Sequence, residues 1–391
     1  MKVLSLCAVS LLLMDPASMP RDGDLHPPAS PVNDGFTVDW FERRATDPPS
    51  GGIRGARRPS NLPANAAAKG LLWLASVQGS DGGWGQDGGG GSTLRLDQRL
   101  ESNGNDVANT AVAALAFVRD GHSPVSGHYR QNVSRAVHFI LRHVDAAPED
   151  GLAVTSVTGT QIQRKLGPYI DTFLASMLLS ELDGRMAPAD DAWAHRALEK
   201  CVRKIQRHQQ ADGSWNLSGG WAPILGTSIA SRSLNAARDK GVRVDDKVLA
   251  RVNEYTSKSA VGPAAAPAAA GIALYAGAQA LEQLSRTEKD RDRNRREIKA
   301  ITGELSNASF VRGFGSMGGE EFFSYLNISD SLQRSGGEEW IRWNRQIKDT
   351  LVRLQNEEGS WAGHHCITGR VAVTGAAILT LTADRQAVAR R

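Results

Sequence analysis

Gln209-Gln-Ala-Asp212-Gly213-Ser-Trp215 is the stretch whose reading decides the fold. It returns as Gln78-Gly-Ser-Asp81-Gly82-Gly-Trp84, and again as Gln355-Asn-Glu-Glu358-Gly359-Ser-Trp361. The shared pattern is Gln-x-x-(Asp/Glu)-Gly-(Gly/Ser)-Trp, and three copies at one spacing make an internal repeat. Weaker echoes lie between them. Asp150-Gly151-Leu152 keeps the acid and the glycine, while Gly262-Pro263 and Gly313-Phe314 keep little beyond the turn.

The surroundings repeat too. An amphipathic helix pattern precedes the motif: Ala194, Ala197, Leu198, Cys201, Val202 and Ile205 fall on one face. Val133, Ala136, Val137, Ile140, Leu141 and Val144 do the same, as do Trp343, Ile347, Leu351 and Leu354. Such helices bury one stripe and wet the other. A second helix follows, apolar nearly all round, as in Val107–Val118, Phe173–Leu182, Ala268–Leu281 and Val371–Leu381. Ile229–Ala237 and Phe322–Leu332 are less clean examples. Helices apolar on every side belong inside. The expectation is an all-α fold, an α/α toroid of six outer–inner helix pairs closing into a barrel. Closure removes the end faces that an open solenoid must cap. Strict alternation makes all six inner helices parallel.

The motif has a structural task. Gly82, Gly213 and Gly359 permit the tight turn that ends the outer helix. The Gln and the acid reach exposed backbone groups, and the Trp covers the turn.

Composition sets wider bounds. The chain has 391 residues, 41% hydrophobic and 23% charged, with a net charge of +4. Nothing there calls for a nucleic-acid partner. No run of 18 apolar residues suggests a membrane span. Lys2, the apolar run Val3–Met14, and Pro16-Ala17-Ser18 have the layout of a secretory signal, so residues 1–20 are read as a signal peptide and the protein as exported, periplasmic or extracellular. Residues 21–62 lack apolar periodicity and read as a leader. The toroid domain spans 63–385, and 386–391 form a tail. Gln86–Ser92 reads as a flexible loop. Cys201 and Cys366, far apart, make no disulfide framework. Cys201 sits in an apolar stripe and reads as a buried thiol. Arg286–Lys299, with seven basic and four acidic residues, reads as a solvated outer face.

The repeats resemble the QW repeats of squalene cyclases and the related repeats of protein prenyltransferase β-subunits, over about residues 63 to 385. The resemblance implies an α/α toroid whose central cavity holds an isoprenoid chain. Class II terpene cyclases use an Asp-x-Asp-Asp acid motif, and this chain has none; Asp190-Asp191 and Asp245-Asp246 are lone pairs. Prenyltransferases hold Zn²⁺ with Asp, Cys and His. On that match Glu320 takes the Asp position and His365 the His position, and Phe322 stands where the thiolate would be.

Parallel inner helices crowd their N-termini at one mouth, where unpaired N–H groups and partial positive charge gather. Polar residues collect at these helix starts: Asn105, Asp106 and Asn109; Tyr169 and Asp171; Thr227 and Ser228; Glu320 and Glu321; His364, His365, Cys366 and Arg370. Met177, Tyr275, Phe323 and Tyr325 lie deeper and suit an apolar cavity. Capping accounts for Asp106, Asn109 and Asp171 taken singly, and Arg370 suits pairing with one of the acids. The catalytic candidates are Asp171, Glu320, Glu321, His364, His365 and Arg370. The metal candidates are Glu320, His365 and Cys366, a donor set suited to zinc.

Three functions follow. The first is a noncanonical terpenoid- or prenyl-processing transferase or cyclase that binds a hydrophobic or amphipathic small molecule, with peripheral membrane contact. The second is a non-catalytic exported binding or scaffold protein. The third is a carbohydrate-active enzyme using Asp171 with Glu320 or Glu321 as its carboxylate pair.

Overall fold

A computed structural model describes residues 61–87, 104–216, 223–260, 270–313 and 317–385. The signal, most of the leader, the loop beyond Asp87 and the tail lie outside the described residues. Those residues contain helices and two isolated bridges, with no strand.

The outer helices are α1 (Leu62–Ser76), α3 (Arg130–Ala146), α6 (Pro188–Arg207), α8 (Asp246–Ala260), the broken pair α10 (Glu288–Arg293) and α11 (Arg295–Glu304), and α14 (Gly337–Leu354). The inner helices are α2 (Val107–Arg119), α5 (Ile170–Leu182), α7 (Pro223–Asp239), α9 (Ala270–Leu284), α13 (Gly319–Ser335) and α15 (Arg370–Leu381). Two short helices, α4 (Gln161–Leu166) and α12 (Ala308–Val311), interrupt the alternation. Each inner helix packs on the next, and α15 packs back on α2. The outer layer closes as well, α14 against α1. The expected toroid of six outer–inner pairs is therefore what forms.

The motif builds the ring by the same contacts each time. The indole N–H of Trp84, Trp215 and Trp361 donates to the carbonyl ten residues earlier, at Leu74, Ile205 and Leu351. Their backbone N–H groups donate to Thr110, Thr227 and Thr374 on the following inner helix. Gln78, Gln209 and Gln355 each donate to the motif's own glycine carbonyl. Each also donates to the next outer helix, at Asn132, Val248 and Ala66. The last of these bonds joins the end of the ring to its beginning. The motif glycines have φ of +93°, +94° and +101°, and a Cβ on any of them would strike a carbonyl of that next helix.

Inner helix starts meet starts and ends meet ends. Asp171 of α5 reaches Ala108 of α2, whereas Arg119, near the end of α2, reaches Asp330 in the last turns of α13. The inner helices are thus parallel.

Four corrections concern the interior. First, the inner helices are not uniformly apolar: Glu320, Glu321, Asn327 and Asp330 of α13 are all buried. Second, an ion network crosses the lumen. Arg119 of α2 and Arg232 of α7 both bind Asp330 of α13, and Glu282 binds Arg286 and Arg334 at the same end. The C-terminal ends of parallel helices carry partial negative charge, which favours arginines there. Third, among the described residues the lumen is nearly full. Met177 and Phe323, with Leu174, Ile229 and Leu326, leave a void of about 10 Å³, room for about one water. Tyr275 and Tyr325 do not line it; their hydroxyls bond Glu321 and the Val311 carbonyl. Fourth, the start of the expected flexible loop is fixed, with Gln86 and Asp87 buried.

Cys201 is buried, its thiol pushed up to about 12 by burial. The charged stretch through α10 and α11 buries none of its residues.

Candidate metal centre at the mouth

Much of the mouth caps itself. Asp106 precedes α2 and accepts from the Asn109 N–H and side-chain amide. Asp171 does not cap its own helix. Its Oδ1 accepts from the Ala108 N–H across the interface at 3.0 Å, and its Oδ2 from Gln163 at 2.7 Å. Two buried carboxylates thus share one helix start. Burial, then the charge of Asp171, pushes Asp106 up to about 7, and burial pushes Asp171 up to about 6.

The start of α15 is also filled by protein groups. Gln161 accepts from the Thr368 and Gly369 N–H groups, Asp87 from Arg370, and Gln86 from Val371. The expected pool of unpaired N–H groups is consumed at both helices, because the side chains of Asp106, Asp171, Gln161 and Asp87 and the Gln86 carbonyl reach them. Arg370 stands apart from the acids at the start of α13. It pairs with Asp87 at 3.1 Å and Glu358 at 3.3 Å, and stacks over Trp73 at 5.3 Å.

The start of α13 is different. Glu320 and Glu321 occupy its first turn, 2% and 0% exposed. The loop carrying His364, His365 and Cys366 lies beside it, because α15 begins only at Arg370. Backbone bonds join the two segments, from His364 to Met317 at 2.6 Å and from Gly319 to His365 at 3.4 Å. Gly319 and Gly363 leave no room for a Cβ at this junction. A Cβ on Gly318 would stand 2.6 Å from Glu321 Oε2 and 2.8 Å from His365 Nδ1.

Glu320, His365 and Cys366 each bring a ligand atom within 4.8 Å of the others. His365 Nδ1 lies 3.9 Å from Glu320 Oε1. Burial, then the hydrogen bond and charge of Glu320, pushes the Cys366 thiol up to about 12. Cys366 has φ +63°, the one non-glycine in the left-handed region among the described residues. Such strain concentrates at functional sites. Tyr275 donates to Glu321 Oε1 at 3.2 Å, and burial, then the charges of Glu321 and Glu320, raise its pKa. His364 is exposed and meets His365 edge-on at 6.0 Å.

The residues fit a metal ion. Glu320 Oε2 is buried with no hydrogen-bond partner. A carboxylate, an imidazole and a thiol form a mixed O, N, S donor set, which suits a borderline divalent ion over Mg²⁺ or Ca²⁺. Three protein ligands leave a fourth position open, as in catalytic zinc sites.

Of the sequence candidates, the fold gathers Glu320, Glu321, His365 and Cys366. It leaves His364 at the rim and gives Arg370 and Asp171 bonds that hold the frame. Sequence reading missed Tyr275 as the partner of Glu321 and missed Lys165, which lies against Cys366. It missed the lumen ion network as well. Arg119, Arg232 and Asp330 at nominally apolar helix positions were the available signal.

No protein-family model matches this chain, and no curated protein does. Among solved structures it is similar to a type II terpene cyclase, MstE from Scytonema, in a ligand-free variant. The identity is 11% and the TM-score 0.50, over 83% of this chain and 97% of that one. Another variant of the enzyme, in complex with its substrate geranylgeranyl dihydroxybenzoate, gives 12% identity, a TM-score of 0.49 and the same coverage. The first of these likenesses shows the fold: a helical ring of the type II terpene cyclase kind.

Proposed function

We propose that this chain is a metal-centred enzyme of terpenoid type, with its chemistry at the inner-helix mouth. Glu320, His365 and Cys366 would hold a borderline divalent ion such as Zn²⁺, which supplies Lewis acidity when bound. Glu321, held by Tyr275 beside the cluster, adds a second carboxylate for handling a proton. The ligand is a hydrophobic or amphipathic small molecule, a reading supported by the fold likeness to a type II terpene cyclase. The nearly filled lumen keeps that ligand at the mouth. Alkene protonation by an Asp-x-Asp-Asp acid is not part of the proposal, since the motif is absent. Asp171 accepts at both oxygens, from Ala108 and Gln163, which supports a framework role for it over membership of a glycosidase pair. The N-terminal signal pattern supports export.

One observation carries this reading: a carboxylate, an imidazole and a thiol lie within 4.8 Å of one another, on a buried glutamate whose Oε2 has no hydrogen-bond partner. Chelator-treated full-length protein, titrated with Zn²⁺ and with Co²⁺, should bind one ion per chain. Cobalt should show thiolate absorption. Glu320→Gln and His365→Ala should weaken binding by at least about 100-fold, the upper end of what loss of an outer-shell partner costs, and His364→Ala should not. The absence of stoichiometric binding, or equal binding by all three variants, sinks the proposal. The nearly filled lumen favours a second reading, a non-catalytic binding or scaffold ring, which those outcomes would leave standing.

A further inference from the structure

Outer helices α3 and α6 pack directly on one another, as do α14 and α1, whereas α6 and α8 make far less contact. Two glutamines bridge that wider seam. Gln206 of α6 donates to the Arg243 carbonyl at 3.3 Å and accepts from the Asp245 N–H at 2.6 Å. Gln209 of the motif donates to the Val248 carbonyl at 2.9 Å and accepts from Arg251 Nε at 2.8 Å. Between the walls that these bonds hold lies a cleft of about 580 Å³ on the outer surface. That is the size of a small-molecule site, and the void in the lumen is only about 10 Å³.

Four arginines line the cleft: Arg203 and Arg207, one turn apart on α6, Arg243 on the turn before α8, and Arg251 on α8. Val202, Val242 and Val248 line it too and are buried, which gives it an apolar floor. Its two acids are Glu199 and Asp245, and Asp245 accepts from the Lys247 N–H. Two more acids stand near. Glu149 lies 3.6 Å from Lys200 and 3.8 Å from Arg203, and Asp150 lies 3.5 Å from Arg207. Such exposed pairs are weak, and an incoming anion replaces them readily. The Arg243 guanidinium has no partner among the described residues.

The repeats supply their own comparison. The indole bonds fix the register of each outer helix against its motif. In that register Leu72 and Asp349 occupy the place of Arg203, and Gly127 that of Arg243. A basic residue does recur at the place of Arg251, as Arg135 and Lys69, so that one belongs to the ring. Building the toroid thus requires neither Arg203 nor Arg243.

We propose that the α6–α8 cleft is a second ligand site, separate from the mouth, that binds a phosphate-bearing amphiphile. Guanidinium forks from both walls engage the phosphate oxygens, in the bidentate geometry that arginine favours. The valines take the first carbons of the attached chain. The bridging glutamines set the spacing of the walls before the ligand arrives, which lowers the ordering cost of binding.

Calorimetric titration of the full-length protein with n-hexyl phosphate should show one ligand per chain, weakened by salt. Loss of both arginines peculiar to this seam, in Arg203→Ala with Arg243→Ala, should weaken it at least about tenfold. Inorganic phosphate, without a chain for the valines, should bind at least about tenfold more weakly, and hexanoate should also bind more weakly. The proposal is overturned by lack of saturable binding, by equal affinity in the double variant, or by inorganic phosphate or hexanoate binding as tightly as hexyl phosphate. If the double variant does not fold, Arg243→Glu alone, on an exposed turn, carries the same expectation and the same refutation. Flotation with phosphatidic acid vesicles, against phosphatidylcholine vesicles, separates the two sources of such a ligand. Binding that the double variant loses makes it a lipid headgroup, and absence of vesicle binding beside hexyl phosphate binding makes it a soluble phosphate ester; both uphold the site.

Discussion

Gly359→Ala tests ring closure directly, because the new methyl group must enter the seam between the last motif and the first outer helix. Two costs add. At φ +101° an alanine bears left-handed strain of about 1–2 kcal/mol. Its Cβ would also stand 2.7 Å from the Lys69 carbonyl oxygen and 2.9 Å from the carbonyl carbon, so α1 must shift. Overpacking of this kind costs about 1–3 kcal/mol. The expected loss is about 2–5 kcal/mol, a large part of a typical domain's stability. Gly213→Ala is the internal reference, because the same motif there meets the Arg251 carbonyl within the body of the ring. Urea unfolding followed by both tryptophan fluorescence and circular dichroism gives the two losses, provided the transitions coincide. The two should agree within about 1 kcal/mol. If Gly359→Ala costs only the ~1–2 kcal/mol of strain while Gly213→Ala costs the full sum, the seam is not packed and the ring is open.

Three further outcomes follow from the same contacts. Asp106, raised to about 7, binds its proton more tightly folded than unfolded, so it favours folding at pH below about 4 and that contribution is lost as pH rises through about 7; Asp106→Asn, which keeps a capping oxygen, should flatten the decline in melting temperature between these pH values, and an unchanged slope would refute the raised affinity of Asp106 for its proton. Asp330→Asn leaves Arg119 and Arg232 buried without their counter-charge and should cost about 3–5 kcal/mol by chemical denaturation; a loss under about 1 kcal/mol would show that the cross-lumen network is solvated. Arg370→Ala should lower stability through lost contacts to Asp87 and Trp73 and leave Zn²⁺ affinity as it was; a fall in affinity like that of His365→Ala would place Arg370 in the centre.

Legibility differed by level. The ring was readable because each repeat states its own geometry: a glycine for the turn, a Gln and an acid for bare backbone groups, and a Trp for cover. The threonines that complete the motif were not readable, since Thr110, Thr227 and Thr374 follow their tryptophans at unequal distances. Glu320, His365 and Cys366 were recognisable as ligand types. Their convergence was not, because it depends on a loop of three glycine-permitted close approaches between segments some 45 residues apart.

The sequence by itself determined the architecture and the chemical types available at the mouth, since local periodicity and turn chemistry act over a few residues and recur. Tertiary structure alone decided which groups remain free for chemistry. Helix starts that looked bare are capped by Asp171, Gln161 and Asp87 from other parts of the chain, and a lumen that looked hollow is filled by side chains and crossed by Arg119, Arg232 and Asp330. Desolvation and pairing are properties of surroundings, and here the surroundings come from residues tens to hundreds of positions away.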